Sequence, residues 1–237
     1  MADLYLVRHG QASFGAADYD KLSTLGEDQA RRLGAWIKAC GVTPDAVASG
    51  PPIRQRRTAE LAMEIASGPS PETFHLLSGL GEYDHDEVLY RHRPEYEDRA
   101  RLNADLAKQA NPKRAFQLIY EQAVARWVAG EHDGDYAQTW TAFRGQAVES
   151  LRALTTRPER SVWAFTSGGP ITAIVQHLLA IPDARAFEIN WALVNTGVTR
   201  LRFTAGSAAD GRSSSLSYIN AFPHLEQAAD PALITYR

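Results

Sequence analysis

Four short stretches of the 237-residue chain carry side chains suited to chemistry on an anion. They are Arg8-His9-Gly10, Arg54, Leu80-Gly81-Glu82 with Asp84 two residues on, and Ser167-Gly168-Gly169-Pro170. A phosphomonoester carries up to two negative charges that repel a nucleophile, and planar bidentate arginines neutralise them best. Arg8 and Arg54 suit that task. A neutral imidazole, here His9, can then attack phosphorus and split a hard hydrolysis into two easier steps. The departing alkoxide needs a proton, best supplied by a carboxyl whose pKa is raised by burial or by neighbouring anions. Glu82 is the first choice and Asp84 the reserve. Free backbone N–H groups in the first turn of the helix that Pro170 opens, after Ser167-Gly168-Gly169, would add an anion site. The chemistry indicated is phosphoryl transfer through a histidine.

These residues need strands and helix starts to hold them. Leu4 to Val7 is a continuous apolar run, the pattern of a strand buried on both faces, and it ends without a spacer at Arg8-His9. The carboxyl ends of such strands are where open α/β sheets place ligands. A polar loop, Gln11 to Asp20, leads to Thr24 and Glu27, a capping box that predicts a helix with Leu33, Ile37, Trp36 and Cys40 on its apolar side and Gly41 at its end. A second strand over 45–48 and a helix from about Ile53 to Ala66 complete a β-α-β-α order. Arg54, Arg56 and Arg57 crowd that helix's first turns, against the macrodipole, so an anion is expected there. Arg56 and Arg57 read as a solvated face. Phe74 to Leu77 predicts a third strand, and Leu80 to Glu87 an acidic loop whose Asp84, His85, Asp86 and Glu87 lack a metal-ligand spacing. From about Pro94 to Thr156 the pattern is helical, in three segments over 94–110, 113–128 and 136–155. A strand over 161–166 then meets the Ser167 turn, with Pro170 opening a helix to Leu179. Terminal strands follow over 195–203 and 216–220, joined by a loop at 206–215, and the last residues read as a tail.

The formal net charge of −3 excludes a protein that binds nucleic acid by blanketing its backbone with cations, so an anion site must be local. No apolar run reaches membrane-spanning length. The single cysteine, Cys40, excludes an internal disulfide and reads as a packing residue, and the cytoplasm is the expected compartment. No P-loop is present. The expected partner is a small phosphorylated molecule, with neither nucleic acid nor membrane; oligomeric state is not encoded in these motifs.

Leu6-Val7-Arg8-His9-Gly10-Gln11, Leu22-Ser23-Thr24-Leu25-Gly26 with Gln29-Ala30, Ser49 with Arg54 and Thr58-Ala59, Leu80-Gly81-Glu82, and the late strand Asn195 to Leu201 together resemble the histidine phosphatase superfamily, phosphoglycerate-mutase-like branch. The resemblance implies an α/β fold: a three-layer αβα sandwich with a mostly parallel sheet, one domain over 1–237, and a helical cap inserted at about 88–150. It implies His9 as the phosphorylated nucleophile, Arg8 and Arg54 as phosphate clamps, Glu82 as proton donor, and no metal or organic cofactor. Where the family usually has Ser-His-Gly-Gly, this chain has Thr166-Ser167-Gly168-Gly169, so Ser167 replaces a second active-site histidine. Losing one preorganised donor costs on the order of 10² to 10³ in rate. Two functions follow: a phosphatase, of reduced activity or with His85 or His224 as substitute, or an impaired relative that binds a phospho-ligand or a protein. A phosphoglycerate-type mutase ranks last, since the cap lacks the basic-aromatic segment associated with glycolytic mutases.

Overall fold

In the computed structural model, which describes residues 1–13, 20–205 and 214–236, the first apolar run is strand β1 (Ala2–Arg8). Its side chains alternate between faces, as the strand period requires. Leu4 and Leu6 join one buried cluster, and Tyr5 and Val7 another on the opposite side. That double burial is why Leu4 to Val7 contains no charged residue.

The sheet has six strands in the order β3-β2-β4-β1-β5-β6, with β2 at Ala46–Ser49, β3 at His75–Leu76, β4 at Ser161–Thr166, β5 at Val198–Phe203 and β6 at Ser214–Ala221. β1 pairs in parallel with β4, and β2 in parallel with β3 and β4. β5 and β6 turn antiparallel at the far edge. The mostly parallel α/β architecture expected from the sequence is present.

Helices α1 (Thr24–Ala39) and α2 (Ile53–Ala66) cover one face, where Leu33, Ile37, Ala59 and Met63 pack on Tyr5, Val7, Trp163 and Phe165. The opposite face meets α6 (Trp140–Thr155) and α7 (Gly168–Leu179) through Leu151, Leu154, Ile171 and Ile174. The same cluster runs on without a break into α3 (His85–His92), α4 (Arg99–Ala107), α5 (Pro112–Ala129) and α8 (Asp183–Ala192) through Val88, Leu102, Trp127 and Phe187. Layering of helices on both faces of the sheet follows.

Several local expectations shift. The cap of α1 is Ser23, not Thr24: its Oγ accepts from the Gly26 N–H, and bonds from Ser23 to Gln11 hold it extended. Cys40 ends that helix exposed to solvent, with Gly41 left-handed behind it. The stretch expected as an acidic loop forms α3 after Glu82, and Asp84 is its N-cap, accepting from the Asp86 and Glu87 N–H groups. The segment expected over 94–110 opens as a 3-10 turn (Pro94–Glu97), and α4 starts only after Asp98, its N-cap. α7 begins at Gly168, so Pro170 is its third residue, a place where no intrahelical N–H is missed. α8 was not expected. The terminal residues are no loose tail, since α9 (Pro223–Glu226) and a turn at Pro231–Leu233 bring Leu225 and Leu233 against Val194. Most of the two expected loops, at 14–19 and 206–213, lies outside the described residues.

Candidate active site

β1 and β4 lie side by side, with Arg8 in register with Thr166, so the next residues on each strand, His9 and Ser167, emerge together at the carboxyl end of the sheet. The His9 N–H donates to the Thr166 carbonyl (2.9 Å). Gly10 follows because the turn presses on α1: a Cβ there would lie 2.4 Å from the Gly26 carbonyl oxygen. The Gly10 N–H donates to Thr58 Oγ1 (3.0 Å), which donates in turn to the Arg54 carbonyl (2.7 Å). This gives a physical reason for Thr58 beside the second arginine.

His9 is buried, at 5% exposure, and both ring nitrogens are engaged. Nδ1 is 2.7 Å from the Gly10 carbonyl, and Arg54 Nε is 3.2 Å from Nε2. An arginine can only donate and a carbonyl only accept. The proton therefore sits on Nδ1, and Nε2 holds a lone pair. Burial, followed by the charges of Arg54 and Arg8, pushes the His9 pKa well below the ordinary imidazole value, so the neutral form persists. A neutral imidazole with a fixed lone pair beside two guanidinium groups is a nucleophile set next to an anion clamp.

Arg54 is buried by 92% of its surface, and its Nη1 donates to Asp20 (2.7 Å). Asp20 also accepts from the Ile53 N–H (2.8 Å). This carboxylate is the anion expected at the start of α2. Arg56 is exposed and Arg57 pairs with Glu60 and Glu27, as a solvated face requires. Arg8 Nη1 donates to the Leu193 carbonyl at the end of α8. Asp20 competes with any phosphate for Arg54, so Asp20→Asn, which keeps the cap on Ile53, is expected to tighten inorganic phosphate on the order of fivefold. Titration calorimetry at low salt measures it, and equal or weaker binding refutes the competition.

Glu82 is nearly buried and faces the start of α7, where it accepts from the Gly169 N–H (3.4 Å). A Cβ on Gly169 would lie 2.2 Å from Glu82 Oε1, so a side chain there would push the carboxylate out of this position. Burial alone would raise its pKa, but the hydrogen bond and charge of His85, the charge of Arg54 and the Gly169 N–H together hold it below its ordinary value. The raised acid expected from the sequence is thus an ionised carboxylate. His85 Nε2 lies 3.7 Å from Glu82, its Nδ1 is 2.5 Å from the Tyr120 hydroxyl, and its ring packs on Tyr83.

Ser167 is fully buried and receives a hydrogen bond from Gln55 Nε2 (2.6 Å). Gly168 opens α7 beside it. Sequence reasoning missed Gln55, Asp20 and a supporting layer below His9, where Asn195 Nδ2 donates to the His9 carbonyl (3.0 Å) and Asn195 Oδ1 accepts from Thr235 Oγ1 (2.9 Å). Gln29 joins Gln11 to the terminal segment by accepting from the Gln11 N–H (2.9 Å) and donating to the Leu233 carbonyl (2.8 Å).

His224, weighed as a substitute for the second histidine, belongs to this layer. Its Nε2 is 2.8 Å from Thr196 Oγ1, and the Thr196 N–H donates to the Arg8 carbonyl (3.0 Å). Burial lowers its pKa from 6.5 to about 4. The unfolded chain then takes up the proton first as pH falls, so stability is retained above 6.5 and lost between 6.5 and 4. The loss is about 3 kcal/mol. Denaturant midpoints at pH 7 and pH 4.5 for wild type and His224→Gln test it; an equal pH dependence in the two rejects the assignment.

Among the described residues no group of three or more His, Cys, Asp or Glu is placed to hold a metal ion, and no helix is long and apolar enough to cross a membrane.

The family model for the histidine phosphatase superfamily (branch 1) matches residues 4–209. No curated protein matches the chain. Solved structures share its fold: a phosphoserine phosphatase mutant from Entamoeba histolytica in complex with phosphoserine (TM-score 0.61, 19% identity, 95% of this chain and 100% of that one). A mycobacterial glucosyl-3-phosphoglycerate phosphatase superposes with a TM-score of 0.63 at 20% identity, covering 93% of this chain and 100% of the other. Phosphoglycerate mutase from Bacillus anthracis gives 0.64 at 14% identity, covering 97% of each chain.

Proposed function

We propose that this chain, which belongs to the histidine phosphatase superfamily, is a phosphomonoester hydrolase that works through a phosphohistidine on His9. The observation that supports it most is the tautomer: Gly10 accepts from Nδ1, and Arg54 marks where the Nε2 lone pair points. In this reading, Arg8 and Arg54 clamp the phosphoryl oxygens with Ser167 and the Gly168 N–H, and Nε2 attacks phosphorus. The phosphorus–oxygen bond to the alcohol breaks, and Glu82, having taken up the proton carried by the monoanionic ester, passes it to the leaving oxygen. Water then attacks the phosphohistidine and the phosphorus–nitrogen bond breaks; the proton that Glu82 takes from the water leaves with the phosphate, which restores neutral His9 and ionised Glu82. The helical insertion at about 88–150, whose Tyr120 meets His85 beside Glu82, caps the site and selects the leaving group.

The ionised state of Glu82 makes a pH prediction. With His9 neutral and Glu82 charged, the proton for the leaving group enters on the substrate, as the monoanion of the phosphate ester. The second pKa of such esters is about 6. kcat/KM for small phosphomonoesters is therefore expected to be highest below about pH 6 and to fall tenfold per unit well above it. Phosphate release from aryl and alkyl phosphates between pH 5 and 8 tests the reading. Absence of turnover on every ester, with phosphate still bound, would instead assign the chain to phospho-ligand binding.

A further inference from the structure

We propose that Gln55 is a positioning residue of the phosphate pocket, which turns the Ser167 hydroxyl so that its proton is presented to the phosphoryl group. The proposal rests on the phosphate-site reading above. Its basis is the identity of each partner in one buried hydrogen-bonded set.

Gln55 Nε2 lies 2.6 Å from Ser167 Oγ and 3.1 Å from the Leu80 carbonyl oxygen. A carbonyl can only accept, so the amide end between these two atoms is the NH2 group, and it has one hydrogen for each. Ser167 Oγ is therefore the acceptor of its bond with Gln55. A serine hydroxyl has one proton and two lone pairs. One lone pair is taken, and among the described residues no acceptor meets the proton. Nor does Ser167 spend its oxygen on the helix it precedes, for it caps α7 without a side-chain bond. Ser167 is completely buried, one residue beyond the Arg8–Thr166 pair and thus beside His9, so its unspent proton belongs to the pocket.

The position of Gln55 supports the same conclusion. It follows Arg54 on α2, so one helix turn sets both the guanidinium and the amide. Its second bond goes to the Leu80 carbonyl, which also accepts from Thr166 Oγ1 (2.6 Å), and this ties α2 to the stretch that carries Glu82. Gln55 Oε1 is left buried without a partner, tucked where a Cβ on Gly50 would lie 2.1 Å away. An unpaired buried carbonyl is destabilising, and a leucine of similar size would avoid it. Retaining glutamine there keeps an N–H on Ser167. The pair supplies a neutral donor at the place where the family usually has an imidazole.

A double-mutant cycle on orthovanadate affinity tests this. Ser167→Ala and Gln55→Leu are each expected to weaken vanadate about tenfold, the effect of one hydrogen bond to a charged group. The double variant should bind no more weakly than Ser167→Ala, because Gln55 acts only through that hydroxyl. Gln55→Met serves as a second variant where leucine lowers the folded fraction, which thermal melts establish. If Gln55→Leu weakens vanadate by the same factor with alanine at 167, or changes melting without changing affinity, Gln55 is a packing residue and the proposal fails. If the wild type binds neither vanadate nor phosphate, the phosphate-site reading fails with it.

Discussion

His9→Ala is expected to abolish turnover, by on the order of 10⁴-fold or more, while leaving a folded protein that still binds phosphate. The nucleophile is lost outright, and no other imidazole stands in its place. His224 is held by Thr196 below the site, and His85 sits beyond Glu82 against Tyr120. The fold should survive because the backbone at residue 9 is held independently of the ring: its N–H donates to Thr166, its carbonyl accepts from Asn195, and Gly10 is anchored on Thr58. Phosphate should still meet Arg8 and Arg54, since their partners Leu193 and Asp20 remain. The decisive measurement is covalent. Wild type treated with a labelled reactive phosphodonor and denatured at alkaline pH should retain phosphate that acid then releases, and His9→Ala should retain none. Label of equal acid lability on the variant, or turnover near wild type, would remove His9 from the mechanism.

The parts of this site that could be read from sequence are those whose signal is local. β1 is legible because burial on both faces demands an unbroken apolar run, and the residues at its end share that strand. Arg54 stands out because cations at the start of a helix oppose its dipole, and Asp20 is the carboxylate that this anomaly called for. Asp20 itself could not be found that way, since its partner lies on another element and no periodicity links them. The same holds for Gln55 with Ser167, and for Asn195 with Thr235. Such pairs are made by the fold, and each residue alone looks like an ordinary polar side chain. The acidic stretch after Glu82 was legible but misread: an aspartate followed by Asp86 and Glu87 in a first turn is a helix start, the role Asp84 fills. The terminal residues read as a tail because Leu225, Leu233 and Ile234 are too sparse to show a pattern, although together they close a small cluster on Val194.

Glu82→Gln separates proton transfer from phosphate binding. The amide keeps the size of the carboxyl, and its oxygen can still accept from the Gly169 N–H, but it cannot deliver a proton. For an alkyl phosphate, whose alkoxide is a poor leaving group, kcat/KM is expected to fall by on the order of 10² to 10⁴. An aryl phosphate with a strongly acidic phenol leaves without help, so its phosphorylation step should lose far less. The pH dependence should change as well. In wild type, a proton carried in by the monoanionic ester can pass to Glu82; in the variant that route is closed, and the decline above about pH 6 should flatten for the aryl substrate. Losses that are equal for alkyl and aryl esters would mean that Glu82 holds the site together without moving a proton. In that case the acid would have to be sought at His85, whose Nε2 lies 3.7 Å from the Glu82 carboxylate.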